Sequence, residues 1–271
     1  MLLSGRTAVI TGAASGIGLA LTERCIGEGM SVVMADIEAD RLNAEARRLQ
    51  GEGAPVISVV CDVSDAAQID ALRDAAVSEY GSVQLLCNNA GVACGRPNLK
   101  TKPAVWDWVI GVNLLGAAYG CSAFGPLMVE QAEGHIVNTA SEAGLAATPL
   151  LGSYHAAKYG VVGLSESLRM ELEGTGVGVS CLCPELVDTR IFEATRNAPT
   201  DLGFRVPVPV PVDQLEKFMG TKAMSPADVA GQVLYAVRAD QFWIITHQVT
   251  QDRVKRRNEH LEQVRNPTFV P

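Results

Sequence analysis

A tyrosine and a lysine stand four residues apart in the stretch Ser153-Tyr154-His155-Ala156-Ala157-Lys158. On a helix that spacing puts both side chains on one face, a turn from each other. A free phenol, with a pKa of about 10, is a poor base near neutrality. A neighbouring ammonium favours the phenolate and lowers that value, which suits the group to proton transfer. Ser141, 13 residues upstream of Tyr154, adds a hydroxyl able to hold a substrate oxygen beside the phenol.

A second group of residues has the pattern of a dinucleotide site. The apolar run Thr7-Ala8-Val9-Ile10 reads as a buried strand and breaks into Thr11-Gly12-Ala13-Ala14-Ser15-Gly16-Ile17-Gly18. A helical pattern to about Gly29 follows. Glycines at Gly12, Gly16 and Gly18 let the chain turn tightly and let a pyrophosphate approach the backbone, while the helix N-terminus offers it unpaired N–H groups. Asp36 stands 18 residues after Gly18 at the end of a second strand, Ser31 to Asp36, where a carboxylate binds the ribose hydroxyls of adenosine. Neither Ser15 nor Ile37, which follows Asp36, is basic. A 2′-phosphate would meet like charge there, at a cost on the order of several kcal/mol, so the pattern predicts NAD rather than NADP. Asp62-Val63, after a third strand over Val56 to Cys61, is placed to meet the adenine edge.

The elements that must hold these groups alternate. Helices are expected to about Gly51, over Asp65 to Tyr80, over Val105 to Glu130 and over Leu150 to Glu173. Strands are expected over Val83 to Cys87, His135 to Thr139 and Val177 to Cys183. Apolar strands alternating with helices predict an α/β fold, a doubly wound Rossmann-type parallel sheet of about seven strands flanked by helices. No linker or repeat interrupts the 271 residues, so residues 1–271 are read as one domain. Further on, Pro207-Val208-Pro209-Val210-Pro211 predicts an extended surface connection, Ser225-Pro226-Ala227-Asp228 a helix start, and Trp243-Ile244-Ile245 a last strand. Thr250 to Val264 reads as a charged helix outside the core.

Composition excludes several classes. A net charge of −8 argues against nucleic acid or an anionic membrane as partner. The one basic cluster, Arg253, Lys255, Arg256 and Arg257, is followed by Glu259 and Glu262 and reads as a solvated helix face. Seven scattered cysteines form no metal-ligand spacing and suit a reducing compartment. The chain shows no secretory leader pattern and no apolar run judged long enough to span a bilayer, so a cytoplasmic location is expected.

Taken together, the glycine box, Asp62, Asn88-Asn89-Ala90-Gly91, Asn113, Ser141 and Tyr154-x-x-x-Lys158 resemble a classical short-chain dehydrogenase/reductase, in order and spacing, over roughly residues 5–190. The resemblance implies NAD as cofactor and a catalytic set of Asn113, Ser141, Tyr154 and Lys158. Tyr154 takes the substrate's hydroxyl proton while a hydride leaves its carbon for the nicotinamide. Ser141 positions the substrate oxygen, and Lys158 lowers the tyrosine pKa and holds the nicotinamide ribose. Asn113 binds a water linking Lys158 to solvent. Asn89, Ala90 and Gly91 support the sheet centre and the cofactor ribose. The family's Pro-Gly-x-x-x-Thr is met by Pro184, Val187 and Thr189, the threonine near the nicotinamide carboxamide, but Glu185 replaces the glycine. The expectation for Glu185 is a solvent-facing side chain, with contact to a polar or cationic substrate group as the alternative.

The resemblance places substrate specificity after Thr189, in a variable lid at about 190–224. Ile191, Phe192, Leu202, Phe204, Val206, Val208, Val210, Leu215, Phe218 and Met219 make that lid apolar. A bulky, largely hydrophobic secondary alcohol or its ketone (aryl carbinol, terpenoid or steroid-like) is the expected substrate. Thr246-His247 after the last strand and the His135–Ser141 stretch are similar to Cα-dehydrogenases of lignin-type aryl ethers. His155 and His247 are read as polar contacts. The polar C-terminal extension, about 248–271, replaces the family's short tail; a homodimer or homotetramer is expected, with a dimer built on the two long helices. The alternative is a catalytically silent NAD-binding regulatory protein on the same scaffold.

Overall fold

The computed structural model describes residues 1–204 and 210–268. Seven strands, β1 (Thr7–Thr11), β2 (Ser31–Asp36), β3 (Val56–Val60), β4 (Leu85–Asn88), β5 (Gly134–Thr139), β6 (Val177–Cys183) and β7 (Trp243–Ile245), form one parallel sheet in the order β3-β2-β1-β4-β5-β6-β7. The helices are α1 (Gly16–Gly27), α2 (Ala39–Gly51), α3 (Ala66–Tyr80), α4 (Pro103–Ile110), α5 (Gly116–Glu130), α6 (Gly152–Glu171), α7 (Val212–Met219), α8 (Pro226–Ala239) and α9 (Gln248–Glu262).

Alternate residues of a strand face opposite sides, and both sides are covered. Ile10, Met34 and Leu182 pack against Leu21 and Cys25 of α1, Leu42 of α2 and Val233 and Val237 of α8. Val9, Val33, Leu86 and Ile136 pack on the other side against Leu72 of α3 and Phe124 and Met128 of α5. Burial on two faces is why the strands read as continuous apolar runs. From β1 the sheet grows one way through β2 and the other way through β4. The crevice at that reversal, beyond the carboxyl ends of the strands, is where such a sheet binds ligands. Local caps match their sequence signals. The Asp65 carboxylate accepts from Ala67 N–H, and the Ser225 hydroxyl accepts from Asp228 N–H with Pro226 in the first turn.

Several boundaries differ from expectation. Strand four runs one residue further, to Asn88, and the long helix starts at Gly152, after Leu150 in a left-handed conformation (φ 70°). The helix expected over Val105–Glu130 is interrupted by a π turn, Gly111–Leu115, between α4 and α5. Its cause is the buried Asn113. The amide Nδ2 donates to the carbonyls of Val109 (2.9 Å) and Val92 (2.8 Å), and Oδ1 accepts from Val92 N–H (3.1 Å). A side chain inserted into the helix ladder widens that turn.

By length and composition, Pro103–Glu130 is apolar enough to cross a membrane, contrary to the expectation that no segment would be. In the fold it is a core helix, α5 packing on α3 and β5 and α4 on α6. The C-terminal helix starts earlier than expected, at Gln248, and lies outside the core clusters as expected, Thr250 being its one buried residue. Pro207, Val208 and Pro209 of the expected surface connection, and Val206 and Val208 of the expected lid, lie outside the described residues.

Asn113→Ala would leave both backbone groups of Val92 without partners. Given about 1–3 kcal/mol for each buried unsatisfied group, chemical denaturation should show a loss of about 2–6 kcal/mol. A variant as stable as the parent would contradict this reading of the π turn.

Candidate active site

A cavity of about 1380 Å³ opens along the carboxyl edge of the sheet at the reversal between β1 and β4. Pockets for one small ligand run to roughly 300–1,000 Å³, so this one has room for two ligands side by side. Gly12, Ser15, Gly16, Ile17, Asp36, Asp62, Val63, Asn89, Ala90 and Gly91 line one part of it. Asn113, Ser141, Tyr154, Lys158, Pro184, Val187 and Thr189 line the other. Of the cofactor-binding and catalytic residues expected from the sequence, Gly18 alone does not line the cavity. A Cβ there would lie 2.1 Å from the carbonyl oxygen of Gly12, so its glycine allows the helix to pack against the strand end.

The dinucleotide end is built from backbone. Gly12 (φ +68°) and Gly16 (φ +55°) occupy conformations that side chains disfavour. Ser15 precedes α1 without spending its side chain on a cap, and the first N–H groups of a helix have no partner within it. The Asp36 carboxylate accepts from Ala14 N–H (2.9 Å) and Glu38 N–H (3.0 Å), which fixes it at the cavity rim with lone pairs to spare. Thr11 Oγ1 accepts from the N–H groups of Asn89 (3.0 Å) and Ala90 (3.1 Å), tying the loops after β1 and β4 together. Helix-end N–H groups for a diphosphate, a carboxylate for ribose hydroxyls and the cavity's size fit a dinucleotide.

At the other end, α6 puts Tyr154 and Lys158 at the cavity floor. Lys158 Nζ donates to the Thr139 carbonyl (2.7 Å) and lies 5.7 Å from the centroid of the Tyr154 ring. Burial brings the Lys158 ammonium down to about 8, against 10.5 for a free lysine; charge on Cys181 and Cys183 opposes that shift. Burial also pushes the Tyr154 phenol above its ordinary value, and the Ser141 hydroxyl draws it part of the way back. The acidified phenol expected from the sequence is therefore not imposed by the protein's own groups. Lys158 sits in the same dry floor. Ser141 Oγ accepts from Ala143 N–H (3.1 Å), which caps the short turn Glu142–Gly144.

Other residues complete the cavity, among them Trp108, Leu151 and Leu186, which carry no sequence signal of their own. His155 takes Thr148 N–H on Nε2 (2.9 Å), so Nδ1 carries the proton and donates to the Ala143 carbonyl (2.7 Å). It braces the 143–148 segment at the cavity wall, a polar contact as expected, and His247 likewise bonds Thr246 and the Lys222 carbonyl. Trp108, Leu151, Leu186, Ile191, Phe192, Leu202, Leu215 and Met219 give the substrate end its apolar lining. Phe204 packs at a tilt against Trp108 (centroids 5.8 Å apart, planes at 49°). The lid is pinned by charge. Arg196 Nε (2.8 Å) and Nη2 (2.6 Å) and Asn197 Nδ2 (3.0 Å) all donate to Glu38 Oε1, two residues past Asp36. Burial pushes the Glu38 carboxyl up, but those hydrogen bonds and the charges of Arg196 and Arg190 outweigh it and leave it below its usual value.

Glu185 does not face solvent. Its side chain is 0 % exposed and accepts from Arg253 Nη1 of α9 (3.0 Å), which also donates to Glu142 Oε1 (2.7 Å). Arg253 is thus withdrawn from the solvated face read from its basic cluster, whereas Lys255 and Arg257 are exposed. The signal available was the coincidence of a glutamate after Ser141 and a glutamate in a glycine's place.

The short chain dehydrogenase family model matches residues 6–200. A crystal structure of a short chain dehydrogenase/reductase from Burkholderia phymatum in complex with NAD is 40% identical, covers 100% of this chain and 99% of that one, and superposes with a TM-score of 0.93. A 1-deoxy-11-beta-hydroxypentalenate dehydrogenase of Streptomyces exfoliatus is 34% identical, over 100% of this chain and 93% of its own. A D-threitol dehydrogenase of Mycolicibacterium smegmatis is 37% identical, over 73% of this chain and 76% of its own.

The lowered Lys158 value has a consequence for stability. Below about pH 8 the amine is charged folded and unfolded, and the full cost of burying that charge is present. Between about 8 and 10.5 the unfolded chain binds more protons than the folded one, so stability rises with pH across that window. Denaturation of the parent and Lys158→Met over this range should show the parent gaining on the variant. A difference independent of pH would contradict the assignment.

Proposed function

This chain belongs to the short-chain dehydrogenase family, and we propose that it is an NAD-dependent dehydrogenase that interconverts a bulky, largely hydrophobic secondary alcohol and its ketone. That the chain is an oxidoreductase acting on hydroxyl groups follows from the family; the cofactor, the substrate class and the residue roles are the proposal. The observation that carries it is Tyr154, Ser141 and Lys158 on the floor of a cavity whose far end presents Asp36 and the N-terminus of α1.

When bound, an oxidised nicotinamide supplies the hydride acceptor and a positive ring beside the phenol. Tyr154 takes the proton of the substrate hydroxyl. Ser141 holds that oxygen in place. Lys158, anchored on the Thr139 carbonyl, holds the nicotinamide ribose hydroxyls and supplies the local cation. The Asn113 amide is spent on Val92 and Val109, so its part in a water relay to Lys158 falls to its remaining Oδ1 lone pair or its main chain. Gly91 separates the two groups, since a Cβ on it would lie 2.9 Å from Asn113 Oδ1 and 3.7 Å from Lys158 Nζ.

Asp36 supports the choice of NAD, because a carboxylate at the cavity rim after β2 would repel a 2′-phosphate. The names of the relatives, a hydroxypentalenate and a threitol dehydrogenase, agree on a hydroxyl group and differ in size. The apolar lining supports the larger, less polar class. A catalytically silent binder of NAD is the second reading, and the buried phenol next to a buried amine speaks against it, since binding alone requires neither. A homo-oligomer in which α5 and α6 pack against a second copy completes the proposal.

A panel of hydrophobic secondary alcohols, followed by NADH formation, tests this reading. Tyr154→Phe should lower kcat by about 10²–10⁴-fold, the usual contribution of a positioned acid–base group, with NADH still bound. Equal turnover by both proteins would overturn the mechanism. In the same assay kcat/KM should favour NAD over NADP by at least about 10²-fold, and Asp36→Ala should narrow that ratio. A preference of the parent for NADP would refute the role of Asp36.

A further inference from the structure

We propose that the C-terminal helix α9 is part of the active site, and that Arg253 is a positioning residue which grips Glu142 and Glu185 together and so fixes Ser141 against Tyr154. The inference rests on the reading of Ser141 as the group that holds the substrate oxygen.

The three charged groups come from three separate places: the turn after β5, the turn after β6 and the first turns of α9. They meet in a nearly closed space, Glu185 0 %, Glu142 9 % and Arg253 14 % exposed. One guanidinium nitrogen, Nη1, holds both carboxylates, at 2.7 Å to Glu142 and 3.0 Å to Glu185. Two buried carboxylates sharing one donor repel each other unless a cation lies between them. The juxtaposition of the two turns therefore depends on Arg253. His247 is the other titratable group felt by Glu142.

The turns are joined by backbone as well. Glu142 N–H donates to the Pro184 carbonyl (2.8 Å), and Ser141 Oγ reaches the same carbonyl (3.4 Å). Glu185 N–H reaches Thr246 Oγ1 (3.4 Å), just before α9. Ser141 is the residue immediately before Glu142 and caps its turn, so a shift of the Glu142 side chain is passed to the serine through one peptide unit. The cluster holds two carboxylates against one guanidinium, which argues against reading it as a seat for an anionic substrate. Glu185 Oε2 is buried without a partner. A buried polar atom left unpaired is a cost that packing alone would not retain, and it fits a side chain held for the position of its neighbours.

The test uses the full-length protein, NAD, and whichever secondary alcohol of the panel turns over fastest. Arg253→Met should lower kcat tenfold or more, with KM for the alcohol and NADH affinity by fluorescence within about twofold. Arg253→Lys, which keeps a cation in place, should recover at least half of that loss on a logarithmic scale. If Arg253→Met does not fold, Glu142→Gln/Glu185→Gln/Arg253→Met, which buries no charge in the cluster, takes its place with the same expected fall in kcat. A parental kcat in the folded variant, a parallel loss of kcat and NADH affinity, or no rescue by lysine would overturn the proposal. Ser141→Ala separates it from the reading it rests on. If that variant keeps parental kcat, the role of Ser141 fails; if it loses activity while the Arg253 variants do not, only the role of Arg253 fails.

Discussion

The structure turns on the cost of keeping an ammonium and a phenol out of water on one face of one helix. Lys158 and Tyr154 lie in the floor of the cavity, where each is least at ease in its charged form. A single short bond to the Thr139 carbonyl, the last residue of β5, holds the amine. The arrangement is possible because the sheet edge supplies oriented carbonyls and because α6 packs over β5 and β6 at that edge. The neighbouring π turn at Asn113 uses its amide to fasten the Val92 loop beside Lys158, closing the floor from the other side.

Around that apolar floor the cavity is held shut by ionic contacts between distant parts of the chain. Glu38, at the cofactor end, takes Arg196 and Asn197 from the lid. Glu142 and Glu185, at the substrate end, take Arg253 from α9. Each partly buried carboxylate is thereby paired, which such groups require. The lid after β6 and the C-terminal helix thus reach opposite ends of one cavity.

What could be read from the residues alone was whatever local order encodes. The glycine box, Asp36 and the Tyr154–Lys158 pair are set by turn geometry and helix period, and the alternation of apolar strands with helices fixed the sheet's class. The pairing of Glu38 with Arg196, 158 residues away, has no local signature. Nor has that of Arg253 with Glu142, across 111 residues. Arg253 was misread because its sequence neighbours are solvated charges, and helix period alone does not say which of four cations turns inward. The π turn was hidden for a related reason: apolar periodicity continues smoothly through Asn113, and the break comes from a side chain that bonds a loop 21 residues upstream. The effect of burial on Tyr154 has no local signature, because spacing gives the distance to a cation but not the dryness of the place where both sit.

In the function we propose, the phenol of Tyr154 acts as the base with the dinucleotide in place, whereas the protein's own groups hold it above its ordinary value. Ultraviolet difference titration of tyrosinate, comparing the parent with Tyr154→Phe and each with and without saturating NAD, measures this directly. The account predicts one phenolate that forms at lower pH when NAD is added, present in the parent and missing from the variant. Identical titration curves with and without NAD would contradict it.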